Sequence, residues 1–504
     1  MKALSIPAAC LVAGLSTATA AWCQKTPAYR ADVPPSIQTP DTVETRIGTL
    51  RFADGAPDPA TVQKVYDNLD FARGVEAFLA GMPAASLYAV CEGFDRVGIQ
   101  RNRGIGITEQ LMDARSLYLT PNSVTVYVYM CLDLRDGPMV VQVPPGVLGP
   151  VQDAYFRFVT DVGLTGPDQG KGGKYLFIPP GYTGSLPAEG YLAVRPRTFG
   201  NALFFRAFVQ NGDTKAAVKA VKDGARIYPL GAAARPPAQV FVNTSGVRHN
   251  TIHANDIHFY EELDAVVQAE PEDTFEPELV GLFAAIGIKK GRPFAPDARM
   301  KAILTDAVAV GNATARAMLF ASRDARTKLY PDRQWSTFFV GGSYRFADGA
   351  ERMLDARVLF HYYATGITPS MADAKPGTGS AYAFAARDAA GRYFDGSQTY
   401  KVTLPAPIPA GNFWSFTVYD NQTRSMLETD QKLAGLDSNQ PGVKKNADGS
   451  VTVWFAPKAP PGQDGNWVQT MPGKGWNTLL RIYAPLQPWF DKSWKPGDIK
   501  RVDG

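Results

Sequence analysis

Between Ser123 and Val143 apolar and polar positions alternate. Val124, Val126 and Val128 interleave with Thr125, Tyr127 and Tyr129, and Asp136-Gly137 predicts a hairpin before Met139 to Val143. Further short strands are expected at Ala154 to Val159, Lys174 to Ile178, Tyr191 to Val194 and Ala202 to Phe208. Elsewhere the period is helical. Asp58-Pro59 opens a helix with an N-cap residue and Pro at the first helical position, and Val62, Val65, Leu69, Val75, Phe78 and Leu79 hold the spacing up to Gly81. Phe259, Leu263, Val266 and Val267 share one face until Pro271, and Leu279, Leu282, Phe283 and Ile286 follow Pro277 and stop at Gly287. After Pro296-Asp297 an apolar stripe runs from Ile303 to Leu319, and Gly311 inside it points to close helix packing rather than a break. Strands are expected again from Ala356 to Tyr363 and onward to the C-terminus. RFADGA occurs at Arg51–Ala56 and again at Arg345–Ala350; the flanks do not align, so two similar turns are expected, not a repeat.

This pattern predicts a mainly β protein with a helical insert, an α+β chain with two β-sandwich-like domains. The expected divisions are a signal segment at 1–20, an extended arm at 21–57, a β-rich domain at 58–250, a helical insert at 251–330 and a second β domain at 331–504. Glycine (47) and proline (39) are abundant among the 504 residues, which favours many turns and short strands.

From Asn412 to Pro496 the chain is dense in aromatic residues, Gly, Pro and Arg: NFWSFTVYDNQTRSMLETDQ, NADGSVTVWFAP and NWVQTMPGKGWNTLLRIYAPLQPWFDKSWKP. With RPFAPDARM and GGKYLFIPPGY upstream, these stretches resemble the bacterial families joined as domains of unknown function 1254 and 1214. The resemblance covers most of the chain, from about Asp58 to Lys500. It implies a jelly-roll-like arrangement of the β domains; it assigns no activity and no catalytic residue.

Lys2, the mostly apolar stretch from Leu4 to Thr17 and the small residues Ala18-Thr19-Ala20 read as a secretory signal cut near Ala20, so a soluble periplasmic or secreted protein is expected. No other apolar run approaches the ~20 residues needed to span a membrane. Three cysteines would remain after cleavage, Cys23, Cys91 and Cys131. In an oxidising compartment Cys91 and Cys131 can pair; the alternative, two buried thiols filling a core, weighs slightly more on sequence alone. Lys and Arg (52) nearly balance Asp and Glu (48) and no basic run occurs, which gives no electrostatic case for nucleic acid.

Three of the four histidines fall within ten residues, His249, His253 and His258. With Asp256 among them, His253 and His258 are candidate ligands for a divalent zinc or iron, although no H-E-x-x-H or Cys/His spacing is present. His361, in the expected strand ArgValLeuPheHisTyrTyr, is a candidate general base; its bland reading is a histidine packed beside tyrosines. No G-x-S-x-G and no Walker loop occur, and Gly170 to Gly173 reads as a turn.

In the C-terminal block Asp420 and Arg424 flank a turn, and Arg481 sits between apolar neighbours in LeuLeuArgIleTyr. A buried Arg needs a partner: either an Arg–Asp bridge fixes the loop, or the arginines receive an anionic or carboxylate ligand beside Trp414, Trp467 and Trp476. Three functions follow from these residues: an exported protein binding or processing a small amphipathic, glycan or carboxylate-bearing ligand; a hydrolase or lyase with a histidine base or metal; and an oligomeric structural envelope protein. The first is preferred, since no low-complexity or repeat sequence supports a filament.

Overall fold

The computed structural model describes residues 33–209 and 212–502; the expected signal segment and Cys23 lie outside them. The chain divides into two compact units between Tyr66 and Asp67. In the smaller unit Thr42–Thr45, Gly48–Ala53 and Ala56–Pro57 form a three-stranded antiparallel sheet, where the sequence predicts an extended arm. The first two turns of the long N-terminal helix also belong to the smaller unit, and the divisions expected near 250 and 330 fall inside the larger one.

Helix and strand each account for 27% of the chain, so the mainly β expectation is corrected to a mixed α+β fold. The helices are α1 (Pro59–Arg96), α2 (Lys215–Gly224), α3 (His258–Ala269), α4 (Pro277–Ala285), α5 (Ala298–Phe320) and α6 (Leu354–Tyr363). α3, α4 and α5 lie where apolar spacing places them, and Asp297 caps α5 by accepting from Met300 N at 2.7 Å.

α1 does not stop at Gly81 but continues through Pro83 to Arg96. Gly74 and Gly81, one heptad apart, mark the face on which α5 and α3 cross. A Cβ at Gly74 would lie 2.7 Å from Ala307 Cβ, and one at Gly81 2.7 Å from Leu263 Cδ2. These glycines are contact points, not a stop signal. Gly311 on α5 acts the same way against Phe78, as the stripe implied. By length and composition α1 is apolar enough to cross a membrane, contrary to the expectation that no such run follows the signal; yet 78% of its most apolar window is buried by the rest of the protein, as in a core helix.

α6 replaces the strand expected at Ala356 to Tyr363. Ala356, Val358, Leu359, Phe360, His361, Tyr362 and Tyr363 are all buried, so the segment is enclosed on nearly every side. With seven of ten residues buried, Asp355, Arg357 and His361 mark no single polar face, and β-branched and aromatic residues bias the reading toward strand.

Two sheets share a core in the N-terminal half. One has six strands in the order Val240–Asn243, Gly104–Ile107, Thr125–Asp133, Gly200–Phe208, Leu148–Asp153 and Phe158–Gly163; the other has four, Leu192–Val194, Gly173–Phe177, Met139–Val143 and Arg226–Pro229. Val128, Leu203 and Phe205 of the first pack in one cluster with Val141, Tyr175 and Phe177 of the second. Asp136-Gly137 therefore joins two sheets and is not a hairpin, because the strands on either side pair with different partners. The strand expected at Ala154 to Val159 is instead largely the tight connection between Leu148–Asp153 and Phe158–Gly163.

The C-terminal half repeats the plan. Ser380–Ala385, Gly475–Tyr483, Trp414–Asp420 and Gly435–Asp437 form one sheet, with Phe394–Asp395 added to Gly475–Tyr483; Trp467–Gln469, Val451–Ala456, Tyr400–Leu404 and Lys500–Arg501 form the other. Both halves contain parallel pairings, for example Val240–Asn243 with Gly104–Ile107 and Val451–Ala456 with Trp467–Gln469. The sheets are thus mixed, not the all-antiparallel arrangement of a jelly roll.

α1, α3, α4, α5 and α6 contribute to a third core, in which Leu263, Leu304 and Phe360 pack with Tyr129 and Phe204 of the first half and with Phe384 and Leu479 of the second. Cys91 on α1 and Cys131 on Thr125–Asp133 form a disulfide, Cα atoms 5.9 Å apart, correcting the preference for two thiols. Both RFADGA segments are hairpin turns, pairing Ala53 with Ala56 and Asp348 with Glu351.

Candidate functional site

The Asp153–Phe158 turn, the segment Arg195-Pro196-Arg197, the second RFADGA hairpin and the last turn of α6 converge on a cavity of about 400 Å³. Six arginines line it, Arg157, Arg195, Arg197, Arg345, Arg352 and Arg357, against a single acid, Asp153. Asp153 is already engaged: it accepts from Arg157 Nε at 2.7 Å, and Thr274 O takes Arg157 Nη1 at 2.8 Å. Arg157 Nη2 is left buried without a partner, as is Arg357 Nε. Both cations lie near the Tyr155 ring, the Arg157 guanidinium at 5.7 Å and that of Arg357 at 6.0 Å from its centroid. Burial first, then the Arg357 charge, holds Arg352 below the usual arginine range. Cations crowded in this way, with one spoken-for carboxylate among them, favour any anion that enters.

His361 forms the floor. It is 2% exposed and packs against Phe156, Phe346 and Phe360 at centroid distances of 5.7, 5.4 and 5.2 Å. Its Nδ1 is buried without a hydrogen-bond partner. Burial, and after it the Arg357 guanidinium, pushes the imidazole down to about 3, so it is neutral at physiological pH. Phe156 and Phe346 both adopt left-handed backbone angles, φ 51° in each case, a conformation that bulky residues rarely hold.

A second cavity, about 760 Å³, continues from the first and shares Tyr155, Arg157, Arg197, Arg352 and Arg357 with it. Its walls come from α1, α4, α5 and α6, and include Leu79, Leu279, Leu282, Met318, Leu354 and Val358. A cationic chamber thus opens into an apolar groove with acidic residues, Glu76, Glu276, Glu278 and Asp355, also in its lining.

Of the residues singled out in the sequence, only His361 reaches this place. Arg481 lines a separate internal chamber of about 80 Å³ and is held by Thr417 Oγ1 at 3.0 Å, Thr120 O at 3.0 Å and the Tyr419 hydroxyl at 2.7 Å. Arg424 is fully buried elsewhere. It donates to Tyr362 O at 3.0 Å, to the Tyr362 hydroxyl at 3.2 Å and to Gln422 O at 3.0 Å, and it covers the Tyr362 ring at 4.1 Å. Burial lowers it to about 10.

The Arg424–Asp420 bridge is absent: Asp420 caps the turn through Gln422 N and Thr423 N and pairs with Lys474 at 2.8 Å. Trp414 and Trp476 are buried in the sheet core, Trp476 stacking on Phe394 at 4.2 Å. Half-buried Trp467 donates its Nε1–H to Ala456 O at 2.8 Å.

The expected metal set is dispersed. His253 is buried against Phe78, Phe259 and Tyr362, and burial followed by the Arg424 charge lowers it to about 4. His258 is exposed at the start of α3 and pairs with Asp256 at 2.9 Å, while His249 bonds Val247 O at 3.0 Å. Among the described residues no group of three or more His, Cys, Asp or Glu converges in a way that would hold a metal.

Sequence reasoning missed the six arginines because they come from segments up to 200 residues apart. One local signal existed: Arg345 and Arg352 bracket the second RFADGA turn, a geometry that brings both to one end of a hairpin.

Among solved structures, the chain is similar to the VPA0106 protein from Vibrio parahaemolyticus, with 18% identity, a TM-score of 0.54 and coverage of 86% of this chain and 100% of that one, which supports the fold. It is also similar to an uncharacterized protein from Burkholderia cenocepacia, with 14% identity, a TM-score of 0.38 and coverage of 87% and 96%. No curated protein matches the chain. Residues 104–229 match the family described as Protein of unknown function (DUF1254), and residues 379–487 match Protein of unknown function (DUF1214). The chain therefore joins a DUF1254 region in its N-terminal half to a DUF1214 region in its C-terminal half.

Proposed function

We propose that the protein is an exported binding protein for a small anionic amphiphile, holding a carboxylate or phosphate headgroup among the arginines above His361 and the apolar part in the adjoining groove. The carrying observation is the imbalance of the chamber: six arginines, one acid already paired, and unpartnered polar atoms on Arg157, Arg357 and His361. Arginine forks suit carboxylate and phosphate oxygens, and the two volumes lie within the range of small-molecule sites. The Cys91–Cys131 disulfide supports export to an oxidising compartment. Binding is favoured over hydrolysis because a base near 3 is poorly matched to proton abstraction at neutral pH.

Calorimetric titration tests this with decanoate and, as the uncharged control, decanol. Wild type is expected to prefer decanoate. Arg357→Ala and Arg352→Ala should each weaken it roughly ten- to a hundredfold, the worth of one charge-assisted hydrogen bond of about 1.5–3 kcal/mol, and leave decanol unchanged. Equal affinity for the two ligands in wild type defeats the reading.

A further inference from the structure

We propose that the small chamber between Arg206 and Arg481 is a second, independent binding site, for a short monocarboxylate of two or three carbons. It is lined by the strand Gly200–Phe208 of the DUF1254 region and the strand Gly475–Tyr483 of the DUF1214 region. Each strand supplies one arginine, and each arginine sits directly across from a tyrosine on the neighbouring strand: Arg206 opposite Tyr127, Arg481 opposite Tyr382. All four side chains line the chamber.

The two cations have no carboxylate partner there. Arg206 makes no hydrogen bond or ion pair within 4.0 Å to another described residue. Asp161 influences it electrostatically but forms no ion pair with it, and Asp161 Oδ1 is itself buried without a partner. Arg481 is anchored by Thr120 O, Thr417 and Tyr419, which fixes its direction without neutralising it. Thr120 adopts φ 45°, unfavourable for a β-branched residue, while supplying that anchor. Arg481 is buried and Arg206 half-buried, and neither has a counter-ion; an anion between them would offset the charge that both carry.

The size and the remaining walls narrow the anion. About 80 Å³, against roughly 15 Å³ for one water, leaves room for about five non-hydrogen atoms. Phe204, Phe338, Phe360 and Leu479 make up an apolar side. A planar carboxylate on a short carbon chain satisfies both sides; an inorganic ion satisfies one, and the amphiphile of the outer cavity is too large.

The full-length mature protein is tested by equilibrium dialysis against radiolabelled acetate and propionate at constant ionic strength, with thermal unfolding as the second readout. With the outer arginine cavity filled by saturating decanoate, one mole per mole of saturable binding is expected in wild type, with at least a tenfold loss in Arg206→Met. Should Arg206→Met fail to fold, competition on wild type under the same decanoate decides: propionate must displace labelled acetate, and nitrate and chloride must not. Nitrate or chloride competing as well as propionate overturns the carboxylate assignment. Absence of saturable binding in wild type overturns the site. Retention of binding in a folded Arg206→Met under the same saturating decanoate does the same.

Discussion

His361→Leu separates a histidine kept for packing from one kept for a ligand. The imidazole is 2% exposed, makes no hydrogen bond to a described residue, and is held near 3 against an ordinary 6.5. Its folded value is depressed, so between these two pH values the unfolded chain binds a proton that the folded chain refuses. Stability from this group is therefore present above about 6.5 and is lost as pH falls toward 3. Integrating from pH 7 to pH 4.5 gives a loss of about 2–3 kcal/mol for this residue in wild type. Leucine cannot take up the proton, so the variant escapes that loss. At pH 7 it also removes an unpartnered buried nitrogen, a gain of roughly 1 kcal/mol.

The reading must come from the difference between two curves. His253, lowered to about 4, acts in the same direction in both proteins. Glu262 and Glu270, raised by burial to about 8 and about 7, act in the opposite one. Urea unfolding followed by tryptophan fluorescence at pH 7 and pH 4.5 measures the gap. We expect it to widen by about 2–3 kcal/mol in favour of the variant on acidification, with decanoate affinity reduced. Parallel curves would refute the buried neutral imidazole. A variant that binds decanoate as wild type does would remove His361 from the ligand's reach.

Two further outcomes follow from the packing. Arg424→Ala should cost about 3 kcal/mol in urea unfolding, since it strips hydrogen bonds from Tyr362 O and Gln422 O and empties a fully buried position; decanoate affinity should change less than threefold, and a larger change would return Arg424 to the site. Replacing Cys91 and Cys131 together by alanine should cost about 4 kcal/mol by the loop-entropy estimate for a 40-residue separation; reductant should lower the melting temperature of wild type and leave that of the double variant unmoved.

Some of this molecule was legible in its sequence and some was not, for physical reasons. α3, α4 and α5 could be read because each has one wet and one dry face, so period and location coincide. α6 could not, because seven of its ten residues are buried and its polar ones, Asp355, Arg357 and His361, do not fall on one face. Gly81 and Asp136-Gly137 misled for a related reason. Glycine is required both where a chain stops and where two helices touch, and an Asp-Gly turn looks the same whether it returns to its own sheet or crosses to another. The chosen tryptophans and Arg424 do not line the arginine cavity; bulk and charge in a strand mark a demanding environment without saying whether that environment is core or cavity. Trp476 and Arg424 found theirs in the core.

The arginine cavity belongs to no single stretch of chain, and its geometry explains how it is kept open. Phe156 and Phe346 sit at strained left-handed positions in two different turns, and both turn their rings onto His361. Relaxing either turn would redirect a ring, and with it the adjacent arginine, Arg157 in one case and Arg345 in the other. A protein needing only a stable hydrophobic floor has cheaper ways to place two phenylalanines: ordinary backbone angles, with glycine or asparagine taking the αL position. Strain in both turns, a histidine denied a hydrogen bond and arginines denied carboxylates all raise the energy of the empty cavity. A negatively charged ligand of the proposed kind would offset the charge of the arginines that Asp153 does not pair. The apolar part of such a ligand would lie along the adjoining groove, where Leu79, Leu279 and Met318 form an apolar wall next to the charged chamber.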